Sequence, residues 1–522
     1  MNLNYLADWK PTGPVGPDGL EPVECVNPKE AFWSAWKVGR DILRGQGMSV
    51  TKERETDQWV ATWRRHPPDH SPIPPPPKPS ISIHPSIAKQ LLPWQPPIVR
   101  YHAASLIKCR AALDASDTGV GKTTASLAAH ASIGIRHVVA LVPISVIPDW
   151  EMWIKRFGMT GTVINYEKAA RSGIPGILRK GPTGFAWNVK PSMGVIFDEG
   201  HRIGGIDTLS SKLARQAHRQ GMVCSVLSAT IADSPMRMSA LGEMLGLFTP
   251  GGFWGWAIAH GCRQGRFGWE FSGSQDATRA IGRSMLECGK AVKLTPRDIP
   301  GFPEAMVGTV ILTVTKPGEI DDRLAKIAKL IRQRSQKANE EIIKLRREVE
   351  MQKLPAAVEV IKDQYEEGNS CILFVHHREA ALTAANMLGC PLIIGDQKPE
   401  ERQHVLKEFS ENRNRQLVAT DGAGGEGINL QDKHGDFPRY TMYLPSGSSR
   451  HARQVVGRTR RAGSKSKANI RFGVAAGTVE IGMVARLAEK INRVDALTDA
   501  DFSPFGAADA AALAELVEQS DE

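Results

Sequence analysis

The chain of 522 residues is too long for one hydrophobic core, which predicts two principal folded units with smaller additions. Hydrophobic residues make up 41% and charged residues 23%, which excludes a disordered chain, and no apolar run is long enough to span a membrane. The formal charge is +10, but the segment 494–522 holds eight acids and no Lys or Arg, so the remaining residues carry +18. This excess indicates a polyanionic partner, although a basic surface that only aids solubility gives the same charge.

The seven cysteines are scattered and never form a CxxC pair. This pattern indicates reduced thiols inside a cell and disfavours a zinc ribbon or a disulfide framework. The first residues, MNLNYLADWKPTG, lack the basic start and apolar stretch of a secretory signal. An intracellular, cytoplasmic protein without a membrane partner is therefore expected. The sequence leaves protein partners and the oligomeric state open, and a monomer is compatible with it.

A small head begins the chain. PKEAFWSAWKVGRDILRGQG has helical spacing and DQWVATWRR alternates like a strand, so residues 1–65 are predicted to form an α+β accessory module. The proline-rich stretch 66–86 cannot form a packed helix and is predicted to be an extended spacer.

From residue 87 onward, short β-branched runs alternate with helical segments, which is typical of parallel sheets with crossover helices. Two such blocks occur, separated by charged sequence with helical period. The predicted fold class is α/β, with two tandem parallel-sheet lobes, a helical protrusion and the small N-terminal module. The predicted segments are a first lobe at 87–305, a helical protrusion or linker at 306–355, a second lobe at 356–493 and an acidic tail at 494–522.

The stretch DASDTGVGKTTASLAAH predicts a phosphate site. Glycines let backbone N–H groups surround a phosphate, a lysine reaches the outer phosphates, and a threonine hydroxyl can bind Mg²⁺. Ser116 stands where the full pattern has its first glycine, so the short match by itself leaves chance open. The residues assigned to ATP are Thr118, Gly119, Val120, Gly121, Lys122, Thr123 and Thr124, with Thr123 also a metal ligand.

The stretch GVIFDEGHRIGG, residues 194–205, puts two carboxylates at a strand end about 75 residues after the phosphate site. A P-loop needs a second strand whose end brings a carboxylate to the Mg²⁺. Asp198 is therefore predicted to hold the metal through water, and Glu199 to orient and deprotonate the attacking water. A solvated strand end is the alternative for an Asp-Glu pair without a P-loop upstream.

Further motifs follow in order, and the set resembles helicase superfamily 2, in particular the Swi/Snf-type ATPases that act as DNA translocases. The matching stretches are LLPWQ, LVPISVIPDWEMWIKRF, VINYEKA, DEGH in place of the DEAH box, SAT, ILFVHHREA, ATDGAGGEGINLQ and RQVVGRTRRAGSKSK. The resemblance covers about residues 87–500 and implies two RecA-like lobes that close on ATP and step along a nucleic acid. The compact body suggests a bacterial or viral member.

The resemblance also implies roles for individual residues. Gln95 would contact adenine, and two arginines would bring positive charge from the second lobe to the γ-phosphate. The residues implied to complete the ATP site are Gln95, Gly427, Gln454, Arg458 and Arg461. The residues implied to couple hydrolysis to nucleic-acid contact are His201, Ser228, Ala229 and Thr230. The residues implied to contact the nucleic acid are Pro143, Ser145, Tyr166, His376, Arg378 and Thr420.

The insert 249–274 mixes aromatic side chains with Arg263 and Arg266. Such a mixture can stack bases and hold phosphates, and the hypothesis that follows is that both arginines add to DNA affinity. Aromatic side chains in this pattern more often pack a small satellite core, and that interpretation is preferred. The aromatic residues concerned are Phe253, Trp254, Trp256, Phe267, Trp269 and Phe271.

The leading function is therefore an ATP- and Mg²⁺-dependent translocase on double-stranded DNA that remodels or anneals branched DNA or displaces bound protein. A strand-separating helicase on DNA or RNA is the near alternative, which the SAT motif favours, although DNA is preferred as the partner. A third possibility is an ATP-gated nucleic-acid-binding switch with little turnover. The presence of Glu199 and of both arginines disfavours the switch.

Overall fold

The computed structural model describes both predicted lobes and part of the N-terminal module. The described residues are 10–12, 21–28, 33, 48–52, 56, 58–65, 80–181, 184–229, 231, 234–265, 268–271, 275–287, 289–332, 337–424, 428–446, 448–475 and 480. Most of the predicted N-terminal helix, most of the proline-rich spacer and the acidic tail lie outside these residues. None of the six described cysteines forms a disulfide.

A four-stranded antiparallel sheet forms the described part of the N-terminal module. Its strands are β1 (Lys10–Pro11), β2 (Glu21–Val26), β3 (Ser49–Lys52) and β4 (Trp59–Arg65), in the order β1-β2-β4-β3. The strand predicted in DQWVATWRR is present as β4. Alternate side chains of β2, Val23 and Cys25, are buried, as expected when one face of a sheet is covered.

The first lobe is built on a six-stranded parallel sheet with the order β14-β5-β11-β10-β6-β7 and two antiparallel hairpins, β8-β9 and β12-β13. Its strands are β5 (Ala111–Asp114), β6 (His137–Leu141), β7 (Thr160–Ile164), β8 (Leu178–Gly181), β9 (Gly184–Trp187), β10 (Met193–Asp198), β11 (Val223–Leu227), β12 (Cys262–Gly265), β13 (Gly268–Phe271) and β14 (Ala291–Val292). Its helices are α1 (Pro85–Ala88), α2 (Gln95–Cys109), α3 (Lys122–Ser132), α4 (Ile147–Arg156), α5 (Tyr166–Ser172), α6 (Leu209–Arg219), α7 (Ser239–Met244), α8 (Phe253–Ala259) and α9 (Gln275–Glu287).

The register of the first sheet positions the predicted carboxylates. Val195 of β10 lies opposite Val139 of β6 and Cys224 of β11, and all three side chains are buried. A buried side chain of this size contributes about 1.5–3 kcal/mol, so the central strands hold each other firmly. Asp198 and Asp114 both lie in register with Leu227, which brings the ends of three strands to one edge.

The second lobe is a six-stranded parallel sheet with the order β15-β20-β19-β16-β18-β17. Its strands are β15 (Ala305–Leu312), β16 (Ser370–Val375), β17 (Leu392–Ile393), β18 (Gln416–Thr420), β19 (Arg439–Tyr443) and β20 (Ala468–Ala475). The helices from residue 317 onward are α10 (Pro317–Arg332), α11 (Lys337–Glu366), α12 (Arg378–Leu388), α13 (Pro399–Ser410), α14 (Asp421–Gly424) and α15 (Ser449–Thr459). The predicted α/β class with two parallel-sheet lobes is confirmed. Among the described helices, none combines the length and apolar character needed to cross a bilayer.

The second sheet begins earlier in the chain than the sequence predicted. Strand β15 pairs along its whole length with β20, so residues 306–312, placed in the helical protrusion, belong to this sheet. The run AMVGTVIL is rich in β-branched residues, which explains the strand. The helices α10 and α11 follow as an insertion, and buried Lys353 of α11 binds the Glu480 carboxylate at 2.6 Å.

The aromatic insert packs a satellite core, as the preferred interpretation predicted. Phe253 and Cys262 are buried within it, and the rings of Trp254 and Trp269 stack at 4.2 Å between centroids. Arg263 donates from Nε to Glu270 at 2.8 Å, so its charge is partly satisfied inside the hairpin. Arg266 and Phe267 of the insert lie outside the described part of the chain, as do residues 272–274.

Candidate ATP site and nucleic-acid pocket

The predicted phosphate loop joins β5 to α3. Gly119 and Gly121 have φ values of 83° and 95°, a left-handed conformation that glycine adopts without strain. Helix α3 begins at Lys122, so the N–H groups of its first turn are available to an anion. Lys122 donates from Nζ to the carbonyl oxygens of Ser116 at 2.9 Å and Asp117 at 3.0 Å.

Lys122 lies among carboxylates. Burial lowers the pKa of its ammonium group, and Asp114, Glu199 and Asp198 oppose that shift by favouring the charged form. Burial also raises the pKa of Asp114, whose side chain accepts from the N–H of Ser116 at 3.0 Å. Asp114 therefore shapes the start of the loop, a role that nothing in the sequence motif indicated.

Other loop residues contact neighbouring elements. Trp94 donates from Nε1 to the carbonyl of Val120 at 3.1 Å, and Thr123 lies half-buried in the first turn of α3. Thr118 lies against Gly457 of the second lobe so closely that a Cβ atom at Gly457 would overlap its Oγ1 and Cβ. The two lobes therefore touch at the P-loop.

Gln95, the predicted adenine contact, is turned onto the P-loop. Its Nε2 donates to the carbonyl of Gly121 at 2.9 Å and to Oγ1 of Thr124 at 2.8 Å, while its Oε1 accepts from the N–H of Leu92 at 2.8 Å. The side chain is 2% exposed. These bonds make Gln95 a support for the loop, and its contact with adenine stays a prediction.

The predicted metal ligand Asp198 is fixed from three directions. Trp150 donates from Nε1 to its Oδ2 at 3.0 Å, and the N–H of Glu199 donates to its Oδ1 at 2.9 Å. The hydroxyl of Tyr166 donates to its carbonyl oxygen at 2.6 Å. Burial and the adjacent Glu199 charge raise the pKa of Asp198 to about 6.

Tyr166 requires a correction, because it was predicted to contact nucleic acid. The side chain is 1% exposed, packs in the core of the first lobe and bonds to Asp198. It has no surface to offer a nucleic acid and acts instead as a support for the strand end that carries Asp198. Pro143, predicted for the same purpose, is also buried, whereas Ser145 is half-buried.

Glu199 faces His201 and two basic side chains. Its backbone has a φ of 51°, a left-handed conformation rare for residues other than glycine. Burial by itself would raise the pKa of its carboxyl group, but His201, Arg458 and Lys122 outweigh burial and lower it to about 2. Nδ1 of His201 is 3.4 Å from Glu199 Oε2. Glu199 is thus a carboxylate at neutral pH, as a proton acceptor must be.

The predicted coupling residues lie between the carboxylates and the second lobe. The N–H of Ser228 donates to the carbonyl of Asp114 at 3.0 Å, which links it to the P-loop strand. Ala229 lines a crevice together with Thr118 and Gly457 from the two lobes. Thr230 lies outside the described residues.

Close packing explains why glycine, and not alanine, follows Glu199 in the DEGH stretch. A Cβ atom at Gly200 would overlap Cγ1 of Val226 and lie 3.4 Å from Cβ of Ser228. Val226 is a buried residue of the neighbouring strand β11, so it cannot move aside cheaply. The alanine of the DEAH box would therefore force a shift of Val226 or of the backbone at this position.

Gly200→Ala is expected to lower the free energy of unfolding by about 1–3 kcal/mol, because an extra methyl group is forced into a packed core. Urea unfolding of the variant measures this change. Val226→Ala added to Gly200→Ala should recover part of the loss, since it removes the atom that would overlap, while Val226→Ala alone serves as the control. An unchanged midpoint for Gly200→Ala would contradict the packing explanation.

Of the two predicted arginines of the second lobe, Arg461 lies against the P-loop at Gly119, and Arg458 acts on the pKa of Glu199 through its charge. Arg458, at the end of α15, and Arg461 both donate from Nη1 to the carbonyl of Ile428, at 3.3 and 3.2 Å. The N–H of Ala462 donates to the carbonyl of Gly119 at 3.3 Å, which joins the lobes directly. Burial and the nearby Arg458 lower the pKa of Arg461 to about 9.

Gln454, predicted to bind ATP, lies on α15 and is 2% exposed. Neither its Nε2 nor its Oε1 has a hydrogen-bond partner within the described residues. A buried amide without partners costs free energy, which a bound ligand could recover. Gly427, the other residue predicted for this purpose, lies outside the described part of the chain.

The second lobe carries a pocket of about 240 Å³ at the ends of its central strands. His376, Arg378 and Thr420, all predicted to contact nucleic acid, line it together. His376 follows β16 and Thr420 ends β18, so parallel strands bring distant parts of the sequence to one edge. The sequence did not predict two further residues that line the pocket, Asp421 and His451, because their hydrogen-bond partners are distant in sequence.

A comparison with protein families matches residues 352–463 to the family described as Helicase conserved C-terminal domain. The second lobe contains a helicase C-terminal domain. A relative from Acanthamoeba polyphaga mimivirus, described as a putative ATP-dependent RNA helicase, is 26% identical over 466 residues, covering 79% of this chain and 84% of the relative. Together these two matches support a nucleic-acid-dependent ATPase that carries a helicase C-terminal domain.

Solved structures give weaker likenesses. S. cerevisiae Dbp5 bound to RNA and ADP BeF3 is 12% identical, with a TM-score of 0.47 over 79% of this chain and 93% of that chain. The Sulfolobus solfataricus SWI2/SNF2 ATPase core in complex with dsDNA is 14% identical, with a TM-score of 0.31 over 86% of this chain and 98% of that chain. The expected nucleic-acid-dependent ATPase is supported by the family match and the viral relative, whereas the Swi/Snf type and the preference for DNA stay predictions.

Proposed function

We propose that this helicase is an ATP-driven motor that moves along double-stranded DNA. The observation that carries the proposal is the contact of the two lobes at the P-loop, where Gly457 meets Thr118 and Ala462 bonds to Gly119. A site built from two lobes changes shape when ATP is bound and hydrolysed, and such a cycle is what stepping requires.

The donor set at this site fits a nucleoside triphosphate with Mg²⁺. The first turn of α3 offers N–H groups, Lys122 offers a cation, and Thr123 and Asp198 offer oxygen atoms that would hold the metal, Asp198 through water. Bound Mg²⁺ would neutralise charge that develops on the phosphates. Gln454 would complete the ATP site with its unpaired amide.

Side chains of the protein carry out the remaining steps of ATP hydrolysis. Glu199 accepts a proton from the attacking water, because its lowered pKa keeps it ionised at neutral pH. Arg458 and Arg461 supply positive charge from the second lobe as the γ-phosphoryl group is transferred. His201, whose Nδ1 lies 3.4 Å from Oε2 of Glu199, couples the nucleotide state of the ATP site to Ser228.

The pocket of the second lobe is proposed to hold the nucleic-acid backbone. His376 and Arg378 are about half exposed, with 45% and 59% of their side chains accessible, so both can reach a phosphate. The charge of +10 for the whole chain agrees with a polyanionic partner. The stretch ATDGAGGEGINLQ, which resembles the Swi/Snf-type DNA translocases, favours a motor on duplex DNA.

A second candidate is a strand-separating helicase that acts on RNA. The description of the mimivirus relative as an RNA helicase favours it, as does the SAT motif. Both candidates share the ATP chemistry and differ in the polymer and in whether strands part.

A paired assay tests the proposal. Blunt duplex DNA is expected to stimulate ATP hydrolysis more than single-stranded RNA does, and the protein should displace the third strand of a triplex without opening a tailed duplex. Lys122→Ala, which removes the phosphate-binding cation, is the control without motor activity. Stimulation by RNA with unwinding of a tailed RNA duplex would overturn the DNA proposal in favour of the second candidate, and an ATPase indifferent to both polymers would overturn both.

A further inference from the structure

A cluster of two histidines and one aspartate lies in the pocket of the second lobe. Nδ1 of His376 is 3.0 and 3.2 Å from the two carboxylate oxygens of Asp421, and Nδ1 of His451 is 3.0 Å from Oδ2. The three residues come from the end of β16, the start of α14 and the first turns of α15. The proposed ATP chemistry uses none of these three side chains.

We propose that His376, Asp421 and His451 bind one divalent transition-metal ion, for which Zn²⁺ is the best match. Imidazole and carboxylate groups are donors that zinc accepts, and three protein ligands with one open position form a familiar zinc arrangement. Ligand atoms about 2.0–2.2 Å from a tetrahedral ion lie roughly 3.3 Å from each other. The candidate ligand atoms here all lie within 4.8 Å of one another, so small ring rotations would suffice.

Outer hydrogen bonds orient two of these ligands. The hydroxyl of Tyr443 donates to Oδ2 of Asp421 at 3.1 Å, and the aspartate side chain is 1% exposed. Glu350 of α11 accepts from the N–H of His376 at 2.5 Å and so fixes the start of that loop. Such partners hold metal ligands in place and commonly change metal affinity about 10–100-fold when removed.

The pocket gives the ion access to the cluster from solvent and leaves space for a fourth ligand. Its volume of about 240 Å³ opens on the cluster, and its mouth carries the ion pair of Arg378 with Asp396. The fourth ligand would be water or, if the proposed function holds, a phosphate oxygen of the nucleic acid. Binding would replace the hydrogen bonds between each Nδ1 and Asp421, and each neutral imidazole would carry its proton on Nε2.

The alternative to a zinc site is a hydrogen-bonded cluster that binds no metal. Titration with the metal alone distinguishes these two alternatives. Calorimetry of the untagged, full-length protein with Zn²⁺, without nucleotide or nucleic acid, is expected to show one ion bound per chain. Co²⁺ at the same site should give the visible absorption of a tetrahedral ion. Because neither measurement needs ATP hydrolysis or nucleic acid, failure here is separable from failure of the proposed function.

Single variants assign the ligands. His376→Gln and His451→Gln should each weaken Zn²⁺ binding by at least about 100-fold, since even outer partners are worth 10–100-fold. His404→Gln, at an exposed position of α13 outside the cluster, should bind like the wild type. Circular dichroism confirms that each variant is folded, and His376 is exposed enough for substitution to leave the core intact. Lack of saturable binding by the wild type, or binding that survives either cluster substitution, overturns the proposal.

Discussion

Glu199→Gln is expected to lose ATP turnover by about 10²–10⁴-fold while the protein still binds ATP. The substitution keeps the shape of the side chain but removes the carboxylate that His201, Arg458 and Lys122 hold in its ionised form. Binding survives because the P-loop and its lysine are untouched. Steady-state hydrolysis in the presence of nucleic acid, beside binding of a fluorescent ATP analogue, measures both quantities.

A matched control is available on the same face of the first lobe. Glu167 also carries a carboxylate near the strand end, but it is 59% exposed and pairs with Arg202 at 3.0 Å. Glu167→Gln removes an exposed ion pair worth little and should hydrolyse ATP at the wild-type rate. Hydrolysis by Glu199→Gln within tenfold of the wild type would remove Glu199 from the role of general base.

Gly457→Ala is expected to lower the rate of ATP hydrolysis by about 100-fold or more, because displacement of a catalytic group by about 1 Å costs that much. A Cβ atom at Gly457 would overlap Thr118 and lie 3.2 Å from its Cγ2, so the second lobe cannot close on the P-loop. Arg458, the next residue, would be displaced with it. Single-turnover hydrolysis measures the effect separately from ATP binding, which the first lobe provides.

Two further variants separate closure from stability in this experiment. Gly255→Ala lies in helix α8 with no atom within 4 Å of the added Cβ, and it should retain full activity. Thr118→Gly removes the atoms that the methyl group added at Gly457 would meet, so the double variant should recover part of the activity if steric overlap is the cause. Full activity of Gly457→Ala would show that hydrolysis does not need this contact.

The sequence predicted the features that depend on local pattern. The alternation of apolar runs with helical segments gave both parallel sheets, because a buried parallel strand has a recognisable composition. The P-loop and the strand end at Asp198 could be located for the same reason. The P-loop follows β5 and Asp198 ends β10, and each is marked by a short apolar run followed by polar or glycine residues, which a sequence displays directly.

Contacts between distant segments were not predictable in this way. Nothing in LVPISVIPDWEMWIKRF indicates that the Trp150 indole reaches Asp198, since that bond depends on how α4 packs against the sheet. Tyr166 was misassigned for a related reason: motif position suggested a surface contact, whereas the fold buries the ring. The position of Gly457 against Thr118 and the cluster around Asp421 require the three-dimensional arrangement of the lobes.

The pairing of β15 with β20 affects how the second lobe folds during synthesis on the ribosome. Ala305–Leu312 is made first, but its hydrogen-bonding partner, Ala468–Ala475, follows about 160 residues later. At roughly 5–20 residues per second, synthesis leaves the earlier strand waiting for about 10–30 s. During that interval the first lobe can finish folding, whereas β15 of the second lobe has no partner strand to pair with. We expect the nascent chain to need a chaperone over this stretch, where an unpaired β-branched strand invites aggregation.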